Sequence, residues 1–494
     1  MRTINEKRSA VAKPQPIQTK HYTRTKKKLV VGSYYIVSPF SLLLSFQFFL
    51  LRRFTSGAVS SPPILRDRLL NLEESKMRHM MRSSCHSRMI IGRLRQWLSL
   101  LVCVLAVILL KSEGASVGIT YLQDAVAKGA VCLDGSPPAY HFDKGSGAGV
   151  DNWIVHMEGG GWCEDVPTCL SRKNTDLGSS KQMVKQFGFS GLLSGQQKSN
   201  PDFYNWNRIK VRYCDGSSFT GDAVDRANNL FFKGNSIWEF IIADLLAKGM
   251  RNAKNAILSG CSAGGLASIL HCDRFRALLP ASIKVKCISD AGFFLHAQDV
   301  SGGKHIEEFY GKVARLHVLD PLRICQRLAL QEWEPDQSCL FSAKLQCFFP
   351  QYVVQTMQTP IFFVNSAYDS WQIKNILAPS AADKSKAWKS CKLDLKKCTA
   401  AQLKTIQDFR TQFLSALNRA GVVNSPSKGM FIDSCYAHCQ VGKQIQWSSD
   451  SSPVVSNMKI AKAVGDWYYE RSPIKKLDCP YPCNPTCPKV DSDS

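Results

Sequence analysis

The chain has 494 residues, 19 of them cysteine, with 63 Lys and Arg against 39 Asp and Glu. Its formal net charge of +24 is uneven: residues 1–115 hold 20 basic and 5 acidic side chains, and the rest hold 43 and 34. A basic excess that lies mostly in the front argues against a nucleic-acid-binding body and points to targeting sequence there.

Two apolar runs lie in that front. Leu29–Leu51 follows Lys26–Lys28, precedes Arg52–Arg53 and has the length of a membrane span, weakened by Pro39. Trp97–Leu110 is shorter, follows Arg93 and Arg95, and runs out into the small residues of "KSEGAS". Basic flank, short apolar stretch and small-residue exit are the layout of a secretory signal. Met89 lies just upstream. The expected division is therefore an extension over 1–88, disordered or added by an over-extended gene model, a signal over 89–115, and a folded body over 116–494. The rival is a form anchored through Leu29–Leu51. Seventeen cysteines fall in the body, which outside the cytosol reads as a disulfide-rich domain with at least one cysteine left over. No Asn-x-Ser/Thr acceptor with a non-proline middle residue occurs, so N-glycosylation is not expected.

Through the body, short apolar runs recur, each followed by a polar, Gly-rich exit. They are Trp153–Met157 before "EGGGW", Ile209–Tyr213 before "CDGSS", Ala256–Ser259 before "GCSAGG", Val285–Ser289 before "DAGFF", Pro360–Val364 before "NSAYDSW" and Met430–Ile432 before "DSCYAHCQ". Helix-compatible stretches lie between them, among them Ser236–Lys248, Leu266–Leu279 and Ala401–Arg419. The alternation predicts an α/β fold with a mainly parallel sheet and helices on both faces. Ligands bind such sheets at the carboxyl ends of the strands, where all six exits would lie. The tail "CPYPCNPTCP" reads as a disulfide-stapled extension.

Gly260–Gly264, "GCSAG", stands between an apolar run and a helical one. That is the setting of a nucleophile elbow, in which a sharp turn projects the serine above the sheet. The pattern alone is too short to decide. A serine hydroxyl needs a positioned base, and in this fold class the chain order is serine, acid, histidine. Beyond residue 317 the chain has one histidine, His438. Asp369, after the penultimate strand, is the favoured acid, with Asp290 and Asp433 as rivals. The alternative for Cys435, His438 and Cys439 is a metal site, which an oxidising compartment disfavours. "MEGGGW" supplies backbone N–H groups in a loop with little side-chain obstruction, with Glu158 where related loops carry histidine. Gly161, Trp162 and Ala263 are the expected oxyanion donors. No P-loop Lys or Ser/Thr follows, which argues against nucleotide binding. Trp162, Tyr213 and Trp371 are the candidate substrate contacts, with Phe219, Tyr368 and Tyr436 nearby in the same loops. Cys261, inside the elbow, is the first candidate for the unpaired cysteine.

Taken together, "MEGGGWC", "VRYCDGSSFTGD", "LSGCSAGGL", "NSAYDSWQI" and "DSCYAHCQ" resemble the plant pectin acetylesterase family (carbohydrate esterase family 13), relatives of the Notum carboxylesterases. The resemblance runs in order from about Gly118 to the end. It implies an α/β-hydrolase fold and a secreted cell-wall serine esterase that removes acetyl groups from acetylated galacturonan. Ser262, Asp369 and His438 form the implied triad. No cofactor, metal or protein partner is implied, and a monomer is expected. The alternatives are an esterase for longer acyl groups, as in the Notum relatives, and a non-catalytic wall-binding homologue.

Overall fold

The computed structural model describes residues 93–102, 116–317 and 348–488. Residues 93–102 are helical and exposed along their length. A compact unit begins at Val102. Among the described residues, no helix is long and apolar enough to cross a membrane; Leu29–Leu51 and the second half of Trp97–Leu110 lie outside them.

The strands in chain order are β1 (Ser116–Tyr121), β2 (Ala139–Asp143), β3 (Asn152–Met157), β4 (Gln186–Gly188), β5 (Asn207–Val211), β6 (Ala223–Asp225), β7 (Leu230–Phe232), β8 (Asn255–Cys261), β9 (Lys284–Asp290), β10 (Ile361–Ser366), β11 (Gly429–Asp433) and β12 (Lys475–Leu477). Ten form one sheet in the order β12-β11-β10-β9-β8-β3-β5-β2-β1-β4, and β6 and β7 form a separate hairpin. From β12 to β5 every pairing is parallel; β2, β1 and β4 complete the sheet in antiparallel fashion. The six apolar runs read from the sequence are six consecutive parallel strands, β11-β10-β9-β8-β3-β5. The fold is α/β-hydrolase.

Period two divides each central strand between two cores, because successive side chains point to opposite faces. On β3, Trp153, Val155 and Met157 join one core while Ile154 joins the other. On β10, Ile361 and Phe363 join the first, Phe362 and Val364 the second. The first core is covered by α1 (Gly234–Ala247), α2 (Ala263–Leu278) and α3 (Ala400–Arg419), the second by α4 (Ile460–Tyr468). Both faces are buried, which is why these strands read as apolar runs. The edge went unforeseen for the opposite reason. β4 and β12 are three residues each, and β12 is "KKL".

Seven disulfides join fourteen cysteines among the described residues. Cys435 pairs with Cys487 and Cys479 with Cys483, stapling the tail as expected. The remaining body cysteines, Cys325, Cys339 and Cys347, lie outside the described residues, and the odd one falls among them.

Candidate active site

The elbow lies at the carboxyl end of β8. Ser262 has φ 59° and ψ −125°, outside the ordinary basins of an L-residue, and it caps α2. Strain of this kind costs about 1–3 kcal/mol and persists only where its surroundings enforce it. Here the Ser262 N–H donates to the Asp290 carbonyl on β9 at 2.9 Å. Glycine makes the turn possible through close approach. A Cβ on Gly264 would stand 2.2 Å from the Met157 carbonyl oxygen, so α2 starts in backbone contact with the end of β3. A Cβ on Gly159 would stand 2.5 Å from the Cys261 carbonyl oxygen and 2.9 Å from the Ser262 Cβ. The glycine loop after β3 therefore presses directly against the elbow.

The amides of Gly161, Trp162 and Ala263, the expected oxyanion donors, make no hydrogen bond among the described residues. Ala263 is the first residue of α2, where intrahelical partners do not exist. The loop amides are oriented by what holds the opposite end of each peptide plane, since C=O and N–H point apart in a trans peptide. Arg172 Nη1 donates to the Gly160 carbonyl at 2.8 Å, which turns the Gly161 N–H the other way. Tyr213 Oη donates to the Gly161 carbonyl at 2.8 Å, which does the same for the Trp162 N–H. Tyr213 also accepts from the Ser218 N–H at 2.9 Å, and Ser218 Oγ donates to the Ala263 carbonyl at 2.8 Å. Tyr213 is fully buried. Its hydroxyl is engaged by the Gly161 carbonyl and the Ser218 N–H, so the structure shows it supporting the glycine loop.

Glu158 is engaged by β5 and the residues that follow it. Its carboxylate sits 2.7 Å from Arg212 and 3.2 Å from Lys210, and accepts from the Tyr213 N–H at 3.1 Å. Burial alone would raise this carboxyl; the two cations and the amide hold it below the ordinary range.

Asp369 begins the turn after β10 and is buried. Its Oδ1 accepts from the Trp371 and Gln372 N–H groups at 3.0 Å each. Both carboxylate oxygens lie within 3.0 Å of His438 Nδ1. A carboxylate held by N–H donors only accepts, so Nδ1 carries the ring proton and Nε2 keeps its lone pair. Nε2 is buried and has no hydrogen-bond partner. Ser262 Oγ makes none either among the described residues; catalytic contacts of this kind often tighten only when substrate arrives.

The other two aspartates brace the loop that carries His438. Asp290 Oδ2 accepts from the Gln440 and Val441 N–H groups at 2.7 and 2.8 Å. Asp433 Oδ1 accepts from the Cys435 N–H at 3.0 Å, and its Oδ2 accepts from the Gln440 side chain. Burial pushes both carboxyls up to about 7.

A covalent link closes the arrangement. Cys261 is bonded to Cys439. This corrects the expectation that Cys261 is the unpaired cysteine: the elbow carries its side chain straight to the histidine loop, with Cα atoms 5.5 Å apart. With Cys435 and Cys439 both in disulfides, neither offers a thiolate beside His438. Cys163, Cys169 and His317 also cluster, but those sulfurs are bonded to each other.

Aromatic rings pack around Trp162 and His438. Trp162 packs edge-on to Phe294, Tyr310 and Trp371 at centroid distances of 5.0, 5.2 and 5.6 Å, and its Nε1 donates to Ser218 Oγ. Trp371, half-buried, lies over the His438 ring at 6.4 Å. Phe219 is fully buried against Tyr213, Tyr368 packs on Tyr481 with its hydroxyl on Gln407, and Tyr436 is half-buried.

The sequence model of the Pectinacetylesterase family matches residues 110–488. The chain belongs to this family. It is 60% identical to pectin acetylesterase 7 of Arabidopsis thaliana over 408 residues, 82% of this chain and all of that one. Pectin acetylesterase 5 of the same plant is 47% identical, covering 74% and 83%. The palmitoleoyl-protein carboxylesterase notum2 of Xenopus laevis is 26% identical, covering 73% and 72%. Among solved structures, the Wnt deacylase Notum of Drosophila superposes with a TM-score of 0.60 at 25% identity, covering 76% of this chain and all of that one.

Within this pectinacetylesterase chain, sequence reasoning missed Arg172, Ser218 and the Cys261–Cys439 bond. Arg172 lies on a helix carrying no motif, and its partners are main-chain carbonyls, which leave no side-chain pattern. The bond had one sequence signal: each cysteine is the immediate neighbour of a residue singled out for chemistry.

Proposed function

We propose that this chain is a secreted serine esterase that removes acetyl groups from acetylated galacturonan in the plant cell wall. The observation that carries the reading is His438, with Nδ1 on Asp369 and Nε2 buried and unpartnered, tied by a disulfide to the strained Ser262 elbow. The Arabidopsis relatives that bear the name pectin acetylesterase support the substrate class.

In this reading His438 Nε2 takes the Ser262 proton as Oγ attacks the acetyl carbonyl carbon. The carbonyl oxygen becomes an oxyanion received by the Gly161, Trp162 and Ala263 amides. The C–O bond to the sugar breaks, and the sugar oxygen leaves with the proton from His438. Water then gives its proton to Nε2, attacks the acetyl-serine and releases acetate, and the proton returns to Ser262. Asp369 holds the ring tautomer and stabilises the imidazolium in both halves. These steps balance without a metal or organic cofactor. The packed rings of Trp162, Phe294, Tyr310 and Trp371 favour a small acyl group. Seven disulfides suit an oxidising, extracellular setting, reached through a signal over 89–115.

The test is acetate release by the full chain from acetylated pectin, acetylated xylan and a long-chain ester, with Ser262→Ala as control. Activity on pectin that disappears in Ser262→Ala is expected. A Ser262→Ala protein that still turns over esters sinks the mechanism. Equal or faster turnover of the long-chain ester moves the substrate from an acetylated sugar to a longer acyl group. N-terminal sequencing of the secreted protein checks the 89–115 assignment.

A further inference from the structure

The turn that begins at Asp369 continues through Ser370–Gln372 into Ile373–Leu377. Lys374 comes three residues after Trp371, a spacing that puts both side chains on one side of the turn. Its Nζ lies 5.8 Å from the centre of the Tyr436 ring, and Tyr436 is two residues before His438. Lys374 therefore stands on the acid turn with its ammonium beside the histidine loop. It is half-buried, yet it makes no hydrogen bond and no ion pair among the described residues.

Other cations near these loops are committed. Arg172 serves the Gly160 and Leu177 carbonyls, Lys210 and Arg212 serve Glu158, and Lys392 serves the Ala378 carbonyl and Asp383. The Tyr436 ring offers this ammonium only a long cation–π contact, and a partly desolvated ammonium without a hydrogen bond or counter-ion is costly to keep. Burial lowers its proton affinity, and the negative charge of Asp369 works in the opposite direction. An anion arriving from solution would satisfy it. The proposed substrate is a polymer of uronic acid, with a carboxylate on each unesterified ring.

We infer that Lys374 is a carboxylate subsite: it binds the uronate group of a ring beside the acetyl ester being cleaved, and so selects polyanionic over neutral acetylated polymers. The inference rests on the pectin acetylesterase reading. It adds a specificity determinant to that site.

The test uses the full chain, Lys374→Met and Lys374→Arg, with acetylated polygalacturonate, its methyl-esterified form, and p-nitrophenyl acetate as the uncharged reference. A charge-assisted hydrogen bond is worth about 10- to 100-fold. The ratio of kcat/KM on acetylated polygalacturonate to that on p-nitrophenyl acetate should fall at least about tenfold in Lys374→Met, mostly through KM. Lys374→Arg should keep most of it. High salt should shrink the wild-type advantage, because screening weakens an ion pair at a half-buried group. Wild type should prefer the free-acid polymer to the methyl ester, and Lys374→Met should not. An unchanged ratio in Lys374→Met overturns the subsite, including the case where both substrates fall together, which would mark Lys374 as acting through Asp369. A wild-type protein that turns over p-nitrophenyl acetate but releases no acetate from any galacturonan overturns the substrate reading and the subsite with it. A subsite failure alone leaves that wild-type release intact.

Discussion

The Cys261–Cys439 bond joins the residue before the candidate nucleophile to the residue after the candidate base. Replacing both with serine (Cys261→Ser, Cys439→Ser) removes the link without leaving a stray thiol. The two positions are 178 residues apart in sequence, so the link limits the unfolded chain by about 5 kcal/mol in the chain-entropy view. The matched body, residues 110–488, unfolds with an entropy of roughly 0.8 kcal/mol per kelvin. The midpoint should therefore drop by roughly 6 °C. The catalytic effect is separate and larger in relative terms. The histidine loop keeps its braces at Asp290 and Asp433, but the distance from His438 to Ser262 is no longer fixed covalently. A misplacement of about 1 Å costs about 100-fold. We expect kcat on p-nitrophenyl acetate, measured well below the transition, to fall about 10- to 100-fold with KM little changed. Thermal unfolding and near-ultraviolet circular dichroism establish that the variant is folded. A natively folded double variant with wild-type kcat would refute the idea that the bond positions the base.

Other consequences follow from the same geometry. Tyr213→Phe removes the donor that turns the Trp162 amide and leaves the buried Ser218 N–H without its acceptor; kcat should fall by up to about 100-fold with a stability loss of about 1–3 kcal/mol, and full activity would mean that the loop amides orient themselves. Gly264→Ala drives a Cβ to 2.2 Å from the Met157 carbonyl, so it should yield little folded protein, and a stable, active variant would show that α2 can retreat from β3. Asp290 and Asp433 titrate near 7 when folded, above their ordinary value, so the stability they contribute is full below about pH 4 and is lost as pH rises through 7. Asp433, with Asp478 and Asp290 as its charged neighbours, is the cleaner test: the thermal midpoint should decline from pH 5 to pH 8, and Asp433→Asn should flatten that decline; an equally steep decline in the variant would place its origin elsewhere.

What the sequence showed and what it hid divide along a physical line. Parallel strands buried on both faces must be apolar throughout, so β3, β5 and β8 to β11 announced themselves, and so did the polar loops at their ends. The candidate nucleophile and base stood out because chain order left one histidine, and the acid because it follows the right strand. The choice among Asp290, Asp369 and Asp433 stayed open, since all three follow strands of one sheet. Geometry separates them by what each carboxylate can reach. Two carboxylates reach loop amides and one reaches His438 Nδ1.

The same line explains what was missed. Contacts made through main-chain atoms carry no residue code, so the roles of Arg172 and of Ser218 appear only once the peptide planes of Gly160 to Trp162 are in place. Tyr213 looked like a substrate contact because it ends an apolar strand beside a polar loop. That position is equally suited to holding the neighbouring loop, as its two hydroxyl bonds do. Cys261 looked unpaired because it sits inside the tight elbow beside the serine, while the sheet brings a partner to it from 178 residues away. A strand end fixes where a chain emerges, and adjacent parallel strands make distant loops neighbours. Residues that flank chemistry on two such loops are therefore natural places for a covalent tie. In the proposed mechanism the tie spans the distance that proton transfer would need, that between the serine and the histidine, and neither strand pairing nor the Asp369 hydrogen bond sets that distance directly.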